Sequence, residues 1–153
     1  MDAENDPLFN IRPANLEDTA EIVNLSAELG YPASQTQIRD RLRYLLRRSD
    51  HAVYVIECQD GAIAGWIHAY LRWLLISELS AEIGSIMIGE TYCRRGLGKR
   101  LLQHIEMWSA SHGCKSIALY SGMQRDTAHH LYPNIGYSRI KSSWKYERKL
   151  TGD

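Results

Sequence analysis

Cys93-Arg94-Arg95-Gly96-Leu97-Gly98 runs straight into Lys99-Arg-Leu-Leu-Gln-His-Ile-Glu-Met-Trp108, and Ile83-Gly84-Ser85-Ile86-Met87-Ile88 stands just before it. The β-branched segment reads as a strand and the glycine pair as a turn. Leu101, Leu102, Ile105 and Trp108 then share one side of a helix over 97–111, which Gly113 closes. A strand, turn and helix in this order aim backbone N–H groups outward at the helix start. Those orphan donors, with the positive end of the helix dipole, suit a phosphate or pyrophosphate. The glycines let the main chain approach the anion with no Cβ in the way, and Arg94, Arg95, Lys99 and Arg100 add charge. Many tight strand–helix junctions carry Gly-x-Gly. The added weight here comes from a second block downstream, Ala128-His-His-Leu131-Tyr132-Pro-Asn-Ile-Gly136-Tyr137.

Working outward, residues 1–8 read as a disordered lead-in and 9–150 as one domain. Phe9 to Arg12 is a short strand that Pro13 interrupts. Asn15 or Asp18 caps a helix carrying Ile22, Leu25 and Leu29, which Gly30 and Pro32 end. A second helix spans about Ser34 to Arg48, with Ile38, Leu42, Leu45 and Leu46 on one stripe and arginines elsewhere. Its basic face reads as a solvated helix face rather than a nucleic-acid surface. His51–Glu57 and Ile63–Leu75 are strands joined by the turn Gln59-Asp60-Gly61. Glu82–Ile88, Ser116–Tyr120, Tyr137–Lys141 and Ser143–Lys149 complete the strands, with a short helix near 126–132. The order is α/β: one domain with a mixed, mostly antiparallel twisted sheet flanked by about four helices.

At 153 residues with 44% apolar content, the chain can bury a core unaided. Cys58, Cys93 and Cys114 are an odd, widely spaced set without metal-ligand spacing, which points to a reducing, cytoplasmic setting and to no metal. The acidic, polar start is unlike a secretory or transit segment. No apolar run reaches the ~20 residues that a bilayer requires. Lys+Arg and Asp+Glu balance at 18 each, so no global field draws the chain to nucleic acid or to anionic lipid.

The two blocks together resemble the GNAT superfamily of N-acetyltransferases, over nearly the whole chain and most specifically over 82–137. The family's Gln/Arg-x-x-Gly-x-Gly/Ala falls on Cys93, Arg94, Arg95, Gly96, Leu97 and Gly98, with Cys93 in place of the usual Arg or Gln. Binding by this turn is mostly a backbone matter, and Arg94 or Arg95 can supply the charge. Cys93 reads as a turn residue, with no His–Asp pair nearby in sequence to make it a nucleophile. The resemblance implies acetyl-CoA as cosubstrate and an amine as acceptor, and it admits a homodimer. It also implies that backbone groups of Ile86, Met87 and Ile88 pair with the pantetheine amides, much as an added strand would. Lys99 begins the helix beside the pyrophosphate, and Arg125, where the family often has Asn, contacts a cofactor phosphate or pairs with Asp126.

An amine with a pKa near 10.4 is neutral about once in a few thousand at pH 7, so a carboxylate must take its proton. The resemblance implies that role for Glu82. By strand parity Glu82 shares a face with Gly84, Ile86 and Ile88, unless a bulge at Gly84 intervenes. Tyr132 matches the tyrosine of the family's Ala-x-x-x-Tyr-x-x-x-Gly-Phe/Tyr block, which protonates the departing thiolate. The plainer alternative for Tyr132 is packing beside Ala128, Leu131 and Ile135. Pro133 ends or kinks that helix, and His129 and His130 read as exposed. Trp66, His68, Tyr70 and Trp73, with Glu78 and Glu82, outline an aromatic, acidic cleft for a cationic amine, and Tyr31-Pro32 offers an opposite wall. The competing function is a module that binds acyl-CoA without turnover.

Overall fold

A computed structural model describes residues 6–120, 133–141 and 143–151. The chain divides into two compact units, residues 1–120 and 121–153. In the first, the order is β1 (Phe9–Pro13), α1 (Thr19–Glu28), α2 (Gln35–Leu46), β2 (His51–Cys58), β3 (Ile63–Arg72), β4 (Ser80–Ile88), α3 (Leu97–Ser111) and β5 (Ser116–Leu119), with 3₁₀ turns at Leu16–Asp18 and Glu90–Tyr92. The strands lie in that order in one sheet, antiparallel except for the parallel pair β4–β5. Three α-helices therefore stand where about four were expected, among the described residues.

Local chemistry explains the first helices. The Asn15 side chain caps the 3₁₀ turn by accepting the Glu17 N–H at 2.9 Å, and Asp18 accepts the Asn15 N–H at 2.9 Å. Asp18 also takes a two-pronged bond from Arg12, at 2.8 and 2.9 Å, while the Arg12 Nε donates to Glu57 at 2.9 Å. This ties β1 and β2 to the start of α1. Ser34 and Gln37 form a reciprocal cap on α2. Gly61, at φ +89°, turns the chain between β2 and β3.

The two sheet faces are distinguished by register, because residues directly opposite each other point to the same side. Val53 and Val55 face α1 and α2 and form a core with Ile22, Leu25 and Leu42. Ile56, Ile67, Ile83 and Ile86 face the other way, toward Leu97, Leu101, Leu102 and Ile105 of α3. The Tyr54 ring meets that of His104, with centroids 4.3 Å apart, on the α3 side. β3 and β4 approach so closely at Gly65 that an added Cβ would strike the Met87 carbonyl.

Three expectations are corrected. β3 stops at Arg72, because Trp73–Leu79 form the connection to β4 instead of extending the strand. Residues 137–141 and 143–149 form no strand: alternation supplies a face but not a ladder partner, and Trp144 and Tyr146 are exposed. Arg100 does not reach the glycine turn; its guanidinium donates to the Asp6 and Phe9 carbonyls at 3.3 and 3.2 Å. Within the lead-in, the Leu8 carbonyl accepts the Gln59 N–H at 3.1 Å. In the second unit Pro133 and Asn134 are helical, and Gly136, at φ +94°, turns the chain.

Candidate active site

The chain leaves β4 at Gly89, whose N–H donates to the Ala64 carbonyl at 2.8 Å. The next N–H, of Glu90, donates to Glu28 at the end of α1 at 2.9 Å. Tyr92 meets the Phe9 ring edge-on, and the Arg95 guanidinium lies 5.9 Å from the centre of the same ring. Two left-handed residues, Arg94 at φ +66° and Gly96 at φ +74°, then swing the backbone into α3. The turn is thus pinned at both ends while its middle stays exposed.

The start of α3 differs from the other helix starts. No side chain among the described residues caps it, and its first turn holds Lys99 and Arg100 but no acid. Cations at a helix N-terminus oppose the dipole, so this arrangement suits an anion supplied from outside. Gly98 leaves that end open, since an added Cβ would meet only Ile88 Cγ1, at 3.9 Å. Cys93 is exposed and its thiol lies 3.5 Å from the Gly89 carbonyl, as an ordinary turn residue does.

β4 contains the bulge. Ile83 opposes Ala69 and Ser85 opposes His68, so Gly84 is the extra residue. The bulge overturns the simple parity: Glu82 shares its face with Ser85 and Met87, and not with Ile86 and Ile88. Across the sheet that same face carries Tyr70, His68 and Trp66 of β3 and His51, Val53 and Val55 of β2. Beyond Ile83 the ladder to β5 ends, so among the described residues the β4 edge from Gly84 to Ile88 has no strand on its outer side. Ile86, Met87 and Ile88 therefore sit on an open backbone edge that leads to the uncapped helix.

Glu82 lies opposite Tyr70, and its carboxylate is 3.6 Å from the Arg72 guanidinium. Burial raises its pKa above the ordinary carboxylate range, the ion pair notwithstanding. His68 is pushed down to about 4 by burial and, secondarily, by His51. The rings of His51 and His68 stack, and His51 Nδ1 lies 2.9 Å from His68 Nε2. Tyr70 stacks on His51 with centroids 5.5 Å apart. Of the residues expected to outline an aromatic cleft, Trp66, His68, Tyr70 and Glu82 share one sheet face. Trp73 and Glu78 lie in the exposed β3–β4 connection, and Tyr31 is exposed between α1 and α2. The pairing of His68 with His51 was not foreseen, because it depends on the β2–β3 register. Tyr132 and Arg125 lie outside the described residues. Among the described residues no group of three or more His, Cys, Asp or Glu side chains is placed to hold a metal, and no helix is long and apolar enough to cross a membrane.

A five-stranded sheet has a bulged fourth strand that pairs with its parallel neighbour only as far as Ile83 and leads to an uncapped basic helix, an α/β fold. The chain belongs to the acetyltransferase (GNAT) family, whose model matches residues 16–137. A search of curated protein sequences finds no match. Among solved structures, aminoglycoside antibiotic 6'-N-acetyltransferase AAC(6')-Ih from Acinetobacter baumannii has a TM-score of 0.82 at 16% identity, covering 94% of this chain and 99% of that one. AAC(6')-Iy in complex with the bisubstrate analog CoA-S-monomethyl-acetylneamine has a TM-score of 0.82 at 16% identity, over 93% and 99%. Glucosamine-6-phosphate N-acetyltransferase from Arabidopsis thaliana has a TM-score of 0.76 at 18% identity, over 94% and 99%. At these identities the likeness is one of fold.

Proposed function

We propose that this protein transfers the acetyl group of acetyl-CoA to a primary amine by direct attack in a ternary complex. One observation carries the reading: the strand whose open edge leads to the uncapped, basic start of α3 is also the strand that bears Glu82. The coenzyme A complexes among proteins of this fold support the same cosubstrate. Acetyl-CoA supplies an activated thioester. The N–H groups at Gly96–Gly98, with Arg94, Arg95 and Lys99, bind its pyrophosphate, and Arg125 contacts a phosphate. The open edge at Ile86–Ile88 pairs with the pantetheine amides, and an N–H near Met87 polarises the thioester carbonyl.

Glu82 holds the incoming ammonium and takes its proton, directly or through water. Its partly buried, raised carboxyl suits proton exchange better than a fully solvated one would. Tyr132 gives a proton to the departing thiolate. The acceptor is a small-molecule amine, aminoglycoside-like or polyamine, or a protein amine. The test incubates the protein with acetyl-CoA and an amine panel, and follows free thiol together with the mass of one added acetyl group. Coenzyme A binding by calorimetry, without thiol release from any amine, would replace this reading with a non-catalytic acyl-CoA sensor.

A further inference from the structure

The histidine pair on the acceptor face has no part in the mechanism above, yet it occupies the stretch of that face between Glu82 and Met87. His68 opposes Ser85, three residues beyond Glu82 and two before Met87. Its Nδ1 edge lies over the bulge, where a Cβ on residue 84 would stand 2.9 Å from Nδ1 and 3.3 Å from Cε1. Glycine at 84, exposed on β4, therefore places no side chain of its own against that edge. The opposite ring nitrogen, Nε2, is bonded to His51 Nδ1 on β2.

Resting on the acetyl-transfer reading, we propose that His68 accepts the proton the acceptor nitrogen sheds on bonding to the acetyl carbon, and that His51 relays a proton outward to solvent.

The protons balance as follows. The ammonium loses one proton to Glu82 before attack. Attack forms the C–N bond and leaves a second, acidic proton on the now positive nitrogen. His68 Nδ1 takes that proton, its Nε2 proton passes to His51 Nδ1, and His51 releases one from Nε2. Each ring ends with as many protons as it began with. The C–S bond breaks, and the thiolate gains a proton from Tyr132, which water replenishes. Glu82 returns its own proton to water. When the site opens, Nδ1 of His68 loses a proton to water, His51 Nδ1 returns the shared proton to His68 Nε2, and Nε2 of His51 regains one from water, which resets the pair.

The division of labour follows from charge and position. The Glu82 carboxylate attracts the incoming ammonium, whereas His68, which burial keeps neutral, lies over the bulge beyond it. The nitrogen of the zwitterionic adduct is a much stronger acid, so a weak base suffices for it. The carboxylates nearest the pair are themselves held by arginines. Asp50, beside His51, is occupied by Arg48 through bonds of 3.0 Å, and Glu82 is paired with Arg72. Tyr70 stacks on His51 and lies tilted against His68.

The test uses the whole protein with acetyl-CoA and three acceptors: neamine, spermidine and a lysine-containing peptide. For His68→Gln, kcat should fall by roughly 10²-fold or more, the range of general acid–base residues, with coenzyme A affinity unchanged. Added imidazole should restore part of the rate. Gly84→Ala, which displaces the ring without removing it, should lower kcat in a protein that still binds coenzyme A. Imidazole ¹⁵N spectra of the protein alone should show one N–H shared between the two rings, and His51→Phe should abolish that signature while lowering kcat. Wild-type kcat in His68→Gln overturns the proposal, as does a loss that imidazole does not relieve. If coenzyme A binds but no acceptor gains an acetyl group, the transferase reading itself falls, and the proton route with it.

Discussion

Gly98→Asp separates binding from folding with opposite signs. Position 98 is the second residue of α3, and an added Cβ there meets only Ile88 Cγ1, at 3.9 Å, an ordinary contact. A carboxylate in the first turn favours the helix dipole by about 0.3–1 kcal/mol, and replacing glycine inside a helix adds a few tenths more. The ligand-free protein should therefore melt unchanged or ~2–4 °C higher. In the proposed cofactor site the same carboxylate stands where the pyrophosphate would approach. At ~5 Å and an effective dielectric of ~20, one pair of like charges costs roughly 3 kcal/mol. That corresponds to a loss of coenzyme A affinity of about 100-fold or more. Calorimetry measures the affinity and a thermal melt reports the fold, with Gly98→Ala as the uncharged control. Undiminished affinity in a folded Gly98→Asp protein would refute the assignment of this helix start as the anion site.

Glu82→Gln should lower the rate at neutral pH while leaving coenzyme A affinity nearly unchanged; identical pH–rate profiles for the variant and parent would remove Glu82 from its role. Tyr132→Phe keeps the ring and loses the donor, so turnover should fall with little change in the melting temperature, whereas packing alone predicts full activity. Asp18→Asn should cost about 3 kcal/mol at pH 7, since it leaves Arg12 short of its buried partner. Burial pushes the Asp18 carboxyl up, but the bonds from Arg12 and the Asn15 N–H more than offset that and hold it below the usual range. Its contribution is thus complete above the unfolded-state value of ~3.9 and is lost as pH falls through the lower folded value. Denaturant titrations should therefore show the gap between parent and variant closing in acid.

The strand, glycine turn and helix over 83–111 are legible in the sequence because each follows from local rules: β-branched residues, then glycines, then apolar residues at helical spacing. Helix caps at Asn15 and Ser34 are equally local. What escapes is whatever depends on a partner. Alternation over 143–149 specifies a face, but nothing local supplies the neighbouring strand. His51 and His68 are seventeen residues apart. They meet only because the β2–β3 hairpin sets His51 opposite Tyr70 and Val53 opposite His68. The irregularity between Ile56 and Glu57 belongs to that register, and no residue count along one strand reveals it.

Gly84 shows why the site cannot be read by parity alone. In an unbroken strand Ile83 and Ile86 would point to opposite faces, and one of them would leave the core. With the extra residue, Ile83 opposes Ala69 and Ile86 opposes Ile67, so both stay on the α3 side. The same residue frees Glu82 from the face of Ile86 and Ile88. There its carboxylate would lie among Leu101, Leu102 and Ile105, at a desolvation cost. Instead Glu82 reaches Arg72 beside Tyr70, on the face where His68 overhangs the glycine. The ladder to β5 ends at Ile83, immediately before the bulge. One inserted glycine thus keeps the core apolar, turns the carboxylate toward the face of Tyr70 and His68, and adjoins the start of the open edge that leads to α3. A side chain at 84 would compromise this arrangement by displacing His68, without requiring any change in the glycine turn at 96–98.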